Sequence, residues 1–272
     1  MNPLAESRLS TQVSVFTYGG EILATSYGSN AVAFFGDGGI VLLDPFVSPV
    51  QAAELAERLG ERSAAPVTHV VLTHHHTDHA LGAGYFAAKG AEVIAHEEAA
   101  ARMALEHPAL IAERSRMPEV AHLFASAAAY VPSRVISGGH LLETAGLRLD
   151  IFHPGHGHTP GDLCVYAPGL GVLTAGDLVS TGYHTNLEDA DIAGMRAALE
   201  RLRTIPFWTL VPGHGPAGGR EAVEDQIAYL DAAERTVRDA MALKRDPVAA
   251  LRKRFPDHLL AGLLLETAAR LA

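Results

Sequence analysis

The segment Thr73-His74-His75-His76-Thr77-Asp78-His79 packs four imidazoles and a carboxylate into one short stretch. An apolar, β-branched run over 67–73 leads straight into it and reads as a strand. If the chain stays extended, residues two apart share a face. His74, His76 and Asp78 then point one way, and His75 and Thr77 the other. Three such groups at the mouth of a sheet make a chelate. Imidazole and carboxylate ligands suit Zn²⁺, and Mn²⁺ or Fe²⁺ less distinctively.

Three later segments repeat the theme. Gly157-His158-Thr159-Pro160-Gly161-Asp162, Ala175-Gly176-Asp177 and Val211-Pro212-Gly213-His214-Gly215 each follow an apolar strand. Each sets a metal-type side chain beside glycine, which lets backbone pack close to a metal cluster. One register stays open, because His156 and His158 are both preceded by glycine.

His74-x-His76-x-Asp78-His79, His158 in GHTPGD, Asp177 in AGD and His214 in PGHG resemble the metallo-β-lactamase-fold hydrolases in order and spacing. The resemblance covers roughly residues 13–241. It implies an α+β fold, a four-layer αββα sandwich with a dinuclear metal site along one edge. By matched position, His74, His76 and His158 hold the first metal. Asp78, His79 and His214 hold the second, and Asp177 bridges the two. The Thr-Pro-Gly turn after the ligand selects His158 over His156, leaving His153 and His156 as loop or supporting residues. With two Zn²⁺, a metal-bound hydroxide would attack a small ester, lactone, thioester or amide, and Asp78 would orient it and take its proton. No protein nucleophile is needed, so Ser180 reads as structural. Asp162 reads as a brace for the His158 loop. Asp44 reads equally as buried support for the site or as a turn cap.

The stretch Gly182-Tyr183-His184-Thr185-Asn186 follows the bridging aspartate, where loops often read substrate. Tyr183, His184 and Asn186 are the candidate substrate contacts. Some departures narrow the activity. One large group of true β-lactamases has a cysteine where this chain has Asp177, and a substrate-gripping lysine about where Ser180 stands. Lactone-cleaving relatives place a tyrosine closer to the bridging aspartate than Tyr183 is here, and thioester-cleaving relatives carry a different stretch after that aspartate. A β-lactamase or promiscuous lactam hydrolase is the near alternative. A mononuclear iron enzyme resembling persulfide dioxygenases and a non-catalytic binding member are further ones. The complete ligand set favours two metals.

The elements that would carry these residues are legible. Residues 13–18 and 21–25 read as one hairpin around Gly19-Gly20, and 30–35 and 40–43 as a second. Helices are expected over 51–59, 80–89, 97–106, 191–203 and 221–243, the last burying Ile227, Leu230 and Met241. Strands are expected over 91–95, 134–136, 140–143, 147–152, 163–167, 172–175 and 208–211. Residues 107–130, punctuated by Pro108 and Pro118, read as an irregular helical insert or flap. Pro247 and Pro256 divide the tail into two short helices. Together these make one domain over 1–272, with a helical insert about 97–130 and a helical tail about 245–272.

Composition bounds the partners. The chain has 272 residues, 48% of them apolar, and a net charge of −10 with His neutral. That balance disfavours a nucleic-acid surface, because phosphate binding needs many Lys and Arg. No run approaches a membrane span. The single cysteine, Cys164, excludes an intrachain disulfide and reads as a small buried hydrophobe. The N-terminus has no basic and apolar secretory pattern, so cytoplasm is the default. The partner is a small-molecule substrate. The leucines at 259, 260, 263, 264 and 265 read first as core and second as a homodimer face.

Overall fold

A computed structural model describes residues 3–272. A seven-stranded sheet contains β1 (Ala5–Arg8), β2 (Val13–Thr17), β3 (Ala31–Gly36), β4 (Gly39–Leu43), β5 (Val67–Val71), β6 (Glu92–His96) and β7 (Arg134–Ile136), side by side in chain order. Pairing is antiparallel from β1 to β4 and parallel from β4 to β7. The second sheet has the order β12-β11-β10-β9-β8, built from β8 (His140–Thr144), β9 (Leu147–Phe152), β10 (Cys164–Ala167), β11 (Val172–Ser180) and β12 (Thr209–His214). Only β11 and β12 in it are parallel.

Side-chain alternation explains the layering. In β4, Ile40 and Leu42 join one core while Val41 and Leu43 join another. The first core lies under α1 (Pro49–Gly60), α2 (Thr77–Ala80), α3 (Ala83–Ala87) and α4 (Glu97–Arg114), with Leu55, Phe86 and Met103 packed on Phe16 and Leu72. The second core fills the space between the sheets, where Phe34, Val41 and Ile94 meet Leu149, Ile151 and Val165. After α5 (Ala121–Phe124), the third core packs α6 (Ile192–Arg203) and α7 (Glu221–Ala242) on the outer face of the second sheet, through Met195, Leu199, Leu202 and Leu230 against Leu173 and Leu210. Each such side chain contributes roughly 1.5–3 kcal/mol on burial. The result is the expected four-layer αββα sandwich. Among the described residues no helix is long and apolar enough to cross a membrane.

Several expectations are corrected. Residues 21–25 form no strand; Leu23–Gly28 is a tight 3₁₀ turn with Ser26 and Tyr27 in left-handed conformations. β2 takes its partners from β1 and β3 instead. The helix expected over 80–89 is two short ones, because α2 begins at Thr77 and a second start follows Gly82. Pro108 does not stop α4, which runs on to Arg114. Buried Met103, His107 and Ile111 hold that face down, and His107 Nε2 donates to the His75 carbonyl at 2.7 Å. Met241 is exposed, and so are Leu259 and Leu265; of the five leucines between 259 and 265 only Leu264 is fully buried, between α7, α8 (Pro247–Arg254) and α9 (Leu264–Leu271).

Candidate metal centre

The extended strand β5 ends at Val71, and the chain bends through 73–75. α2 then begins at Thr77 and swings Asp78 and His79 away from the face of His74 and His76. The His-rich segment therefore divides between two groups. His74, His76, His158 and Asp177 converge in one, and Asp78, His79 and His214 in the other. Asp177 and His214 arrive on the parallel neighbours β11 and β12. Glycine is required between them, since a Cβ on Gly213 would lie 1.8 Å from Asp177 Oδ1.

In the first group His158 Nε2 lies 3.0 Å from His76 Nδ1 and 3.5 Å from Asp177 Oδ2. In the second, His79 Nε2 and His214 Nε2 are 3.4 Å apart. Asp78 Oδ2 is 3.4 Å from each of them. Asp177 reaches this group too, at 3.2 Å from His79 Nε2 and 3.3 Å from His214 Nε2. A tetrahedral ion with bonds of ~2.0–2.1 Å holds its ligand atoms about 3.3–3.4 Å apart. His74 Nε2, buried in the first group, has no hydrogen-bond partner. Both donor sets fit a divalent cation.

The outer nitrogens of His74, His76, His79 and His214 are pinned so that the inner ones face the cluster, whereas His158 Nδ1 is buried without a hydrogen-bond partner. Thr73 Oγ1 donates to Asp44 at 2.6 Å, so it accepts from His74 Nδ1 at 2.9 Å. His79 Nδ1 donates to Asp44 at 3.0 Å. His214 Nδ1 donates to the Tyr27 carbonyl at 3.1 Å. His76 instead donates through Nε2, to Asp189 Oδ2 at 3.1 Å, which turns its Nδ1 inward. Such acceptors fix tautomer and ring orientation at metal sites. Asp44 and Tyr27 do this from left-handed backbone, with φ of 53° and 51°, conformations that persist where surrounding structure over-determines them. Asp44 is thus buried support. Asp162 is the expected brace, taking the His158 amide at 2.7 Å and the Thr159 amide and hydroxyl at 2.9 and 2.6 Å.

Electrostatics divide the donor set. Burial pushes His74 well down and His158 down to about 3, so both are neutral imidazoles, the form that binds metal. Burial raises Asp78 and Asp177, but His79 and His214 outweigh it and keep both carboxyls ionised. His79, opposed by burial, is held well up by Asp177 and Asp78, and His76, also opposed by burial, is raised by Asp189, Asp78 and Asp177; a metal ion at either must displace a proton. Burial lifts Asp162 to about 7, against the hydrogen bonds it accepts.

A cavity of about 1030 Å³ opens over both groups, with Asp78, Asp177 and His214 in its floor. Ile22, Leu105 and Leu110 form apolar wall, and Leu260 and Leu263 bring the tail to its rim. Asn186 lines it, but the other two expected substrate contacts do not. Tyr183 is buried, with its hydroxyl donated to the Gly20 carbonyl at 3.1 Å. His184 turns to the tail, 2.9 Å from the Tyr229 hydroxyl, edge-on to Phe255 and tilted against His258. His156 is exposed and bonded to the Asp189 carbonyl at 2.8 Å, outside both groups. Sequence reasoning missed Asp189, Arg102 and Arg114, which all line the cavity. Asp189 lies just past the flagged 182–186 loop; the arginines sit on the helix that Pro108 was expected to end.

The buried His184 gives the fold an acid-sensitive joint. Burial, then His258 and Arg252, push it from 6.5 down to about 4. Between those values the unfolded chain binds the proton first, so stability is present above the unfolded pKa and lost as pH falls toward the folded one. Denaturant titrations at about pH 7 and about pH 5 are expected to show a loss in wild type about 2 kcal/mol larger than in His184→Gln. An equal loss in both would contradict this.

Comparison with known proteins agrees with the geometry. The profile of the Metallo-beta-lactamase superfamily matches residues 24–214. The chain is 25% identical over 224 residues to a metallo-beta-lactamase type 2 of Bacteroides fragilis, covering 79% of this chain and 82% of that protein. It is 26% identical over 219 residues to a metallo-beta-lactamase type 2 of Bacillus cereus, covering 79% and 77%. It is 27% identical over 214 residues to the alpha subunit of 2,4-dinitroanisole O-demethylase of Nocardioides sp. (strain JS1661), covering 77% and 60%. The solved metallo-beta-lactamase from Pontibacter korlensis superposes with a TM-score of 0.66 at 24% identity, covering 83% of this chain and 98% of that one. With more than half its length matched by the family profile, and the family's ligand types brought together at one sheet edge, this chain belongs to the metallo-beta-lactamase superfamily.

Proposed function

We propose that the protein is a dinuclear zinc hydrolase of a small ester, lactone, thioester or amide. The carrying observation is that Asp177 reaches ligand atoms of both groups, at 3.5 Å from His158 Nε2 and 3.2–3.3 Å from His79 and His214. His74, His76 and His158 would hold the first ion and Asp78, His79 and His214 the second, with Asp177 shared between them. When bound, Zn²⁺ supplies Lewis acidity and lowers the pKa of water to ~7. Asp78, ionised and on the cavity floor, orients the attacking water and accepts its proton. Asp44, Tyr27 and Asp189 keep the histidines in register through their outer nitrogens.

The Bacteroides and Bacillus relatives named above favour one second reading, lactam hydrolysis. A panel of esters, lactones, thioesters and lactams, assayed with zinc-loaded protein, tests both. Hydrolysis of one class, abolished by chelation and restored by Zn²⁺, is the expected result. Turnover that survives complete removal of metal would overturn the proposal.

The register is tested separately. His158→Ala is expected to lose at least one zinc per chain, whereas His156→Ala keeps the wild-type content. The reverse order by elemental mass spectrometry would place the ligand at His156.

A further inference from the structure

Two arginines of α4 line the cavity, and they differ in how their charge is met. Arg102 is spent on protein acids, with Nη1 2.8 Å from Glu106 and 3.5 Å from Asp189. Arg114, the last residue of the helix, makes no ion pair with a carboxylate among the described residues. Its Nη1 donates to Thr77 Oγ1 at 2.6 Å, one residue before Asp78. Its guanidinium carbon lies 5.7 Å from the centre of the Phe124 ring. Guanidinium has five N–H donors in a fixed fork. One is used here, and the group is half-buried at the cavity wall.

Asp78 and Glu113 attract Arg114 from nearby without hydrogen-bonding it, and Asp78 and Asp177 face the histidines of the metal groups; the cavity's other acids do not neutralise it. Glu106 and Asp189 face Arg102. Glu21 Oε2 accepts the Leu260 amide at 2.8 Å, tying the tail to the rim. Glu188 is exposed at the mouth. A half-buried cation, held in place by one hydrogen bond and lining a substrate-sized cavity, has N–H donors to offer an anion. Planar and forked, guanidinium suits a carboxylate, which can take two parallel hydrogen bonds.

We propose that Arg114 is a carboxylate-binding subsite, and that the substrate carries a carboxylate at a short remove from its scissile carbonyl. This rests on the hydrolase reading for the scissile bond, but the subsite itself does not depend on turnover. Leu105, Leu110, Leu260 and Leu263 would cover the apolar remainder.

Two anilides of equal chain length test it. Succinic acid mono-4-nitroanilide carries a carboxylate where butyric acid 4-nitroanilide carries a methyl group. Binding of each to zinc-loaded wild type, Arg114→Ala and Arg114→Lys is measured by calorimetry, with folding checked by thermal melting. Wild type is expected to prefer the succinyl compound by about 10–100-fold, the scale of a hydrogen-bonded charge pair. Arg114→Ala is expected to lose most of that ratio and Arg114→Lys to recover part of it. Equal affinities in wild type would overturn the proposal. So would a preference that Arg114→Ala leaves intact, since the carboxylate would then sit elsewhere in the site. Absence of measurable binding of either compound also counts against it. Release of 4-nitroaniline is followed in parallel. Preference without release keeps the subsite and removes the support this probe could give to amide hydrolysis; release without preference does the opposite.

Discussion

Asp177→Asn is expected to empty both halves of the centre. The substitution is nearly isosteric, so the packing around β11 survives. What changes is charge and donor number at the one side chain that reaches both groups. Loss of a supporting partner outside the ligand shell typically costs 10–100-fold in metal affinity; loss of a shared ligand should exceed about 100-fold. Zinc content should fall from about two per chain to below about one after dialysis. A stability readout follows from linkage. Zn²⁺ at about a thousand times its Kd stabilises the folded state by about 4 kcal/mol. Wild type should therefore show a large zinc-dependent rise in Tm, and Asp177→Asn a much smaller one. A variant that keeps two zinc ions and the full rise would mean that Asp177 does not bridge.

Asp78→Asn is expected to separate proton transfer from folding. Asp78 lies on the cavity floor, and His79 and His214 keep it ionised despite burial. An amide at this position can orient water but cannot accept its proton. Positioned acid–base groups contribute about 10²–10⁴-fold, and kcat should fall by that factor. Circular dichroism should be unchanged, because the main chain is held independently: the Asp78 carbonyl accepts the Ser29 hydroxyl at 2.9 Å. Zinc content is measured on the same sample, so that a loss of rate at full loading is attributable to the carboxylate. A kcat within about tenfold of wild type at full loading would contradict the role.

Much of this architecture is written locally in the chain. β4 is apolar at every position after Gly39 because both of its faces are covered, and such a run is visible without tertiary information. The ligand residues are visible for a related reason. His158, Asp177 and His214 each sit beside glycine, and the other four fall in one run just after β5, so short sequence patterns reveal them. Other features depend on what the chain meets after folding. The extended reading of the His-rich segment fails because the chain bends over 73–75 and α2 starts at Thr77, and the packing of α2 under the first sheet is a tertiary event. α4 passes Pro108 because buried His107 reaches the His75 carbonyl, a partner more than thirty residues away. Tyr183 and His184 sit in a loop that does border the cavity, yet Gly20 and Tyr229 capture their polar atoms. Asp189 and Arg114 carry no motif at all. Their importance comes from facing His76 and Thr77 across the fold.

The proposed centre is two ions sharing one carboxylate. Elemental mass spectrometry of untagged, zinc-loaded protein, dialysed against metal-free buffer, tests this most directly. About two zinc per chain is the predicted result, with Asp177→Asn below about one in the same preparation. A single metal ion per chain, or none after zinc is restored, would contradict the dinuclear centre.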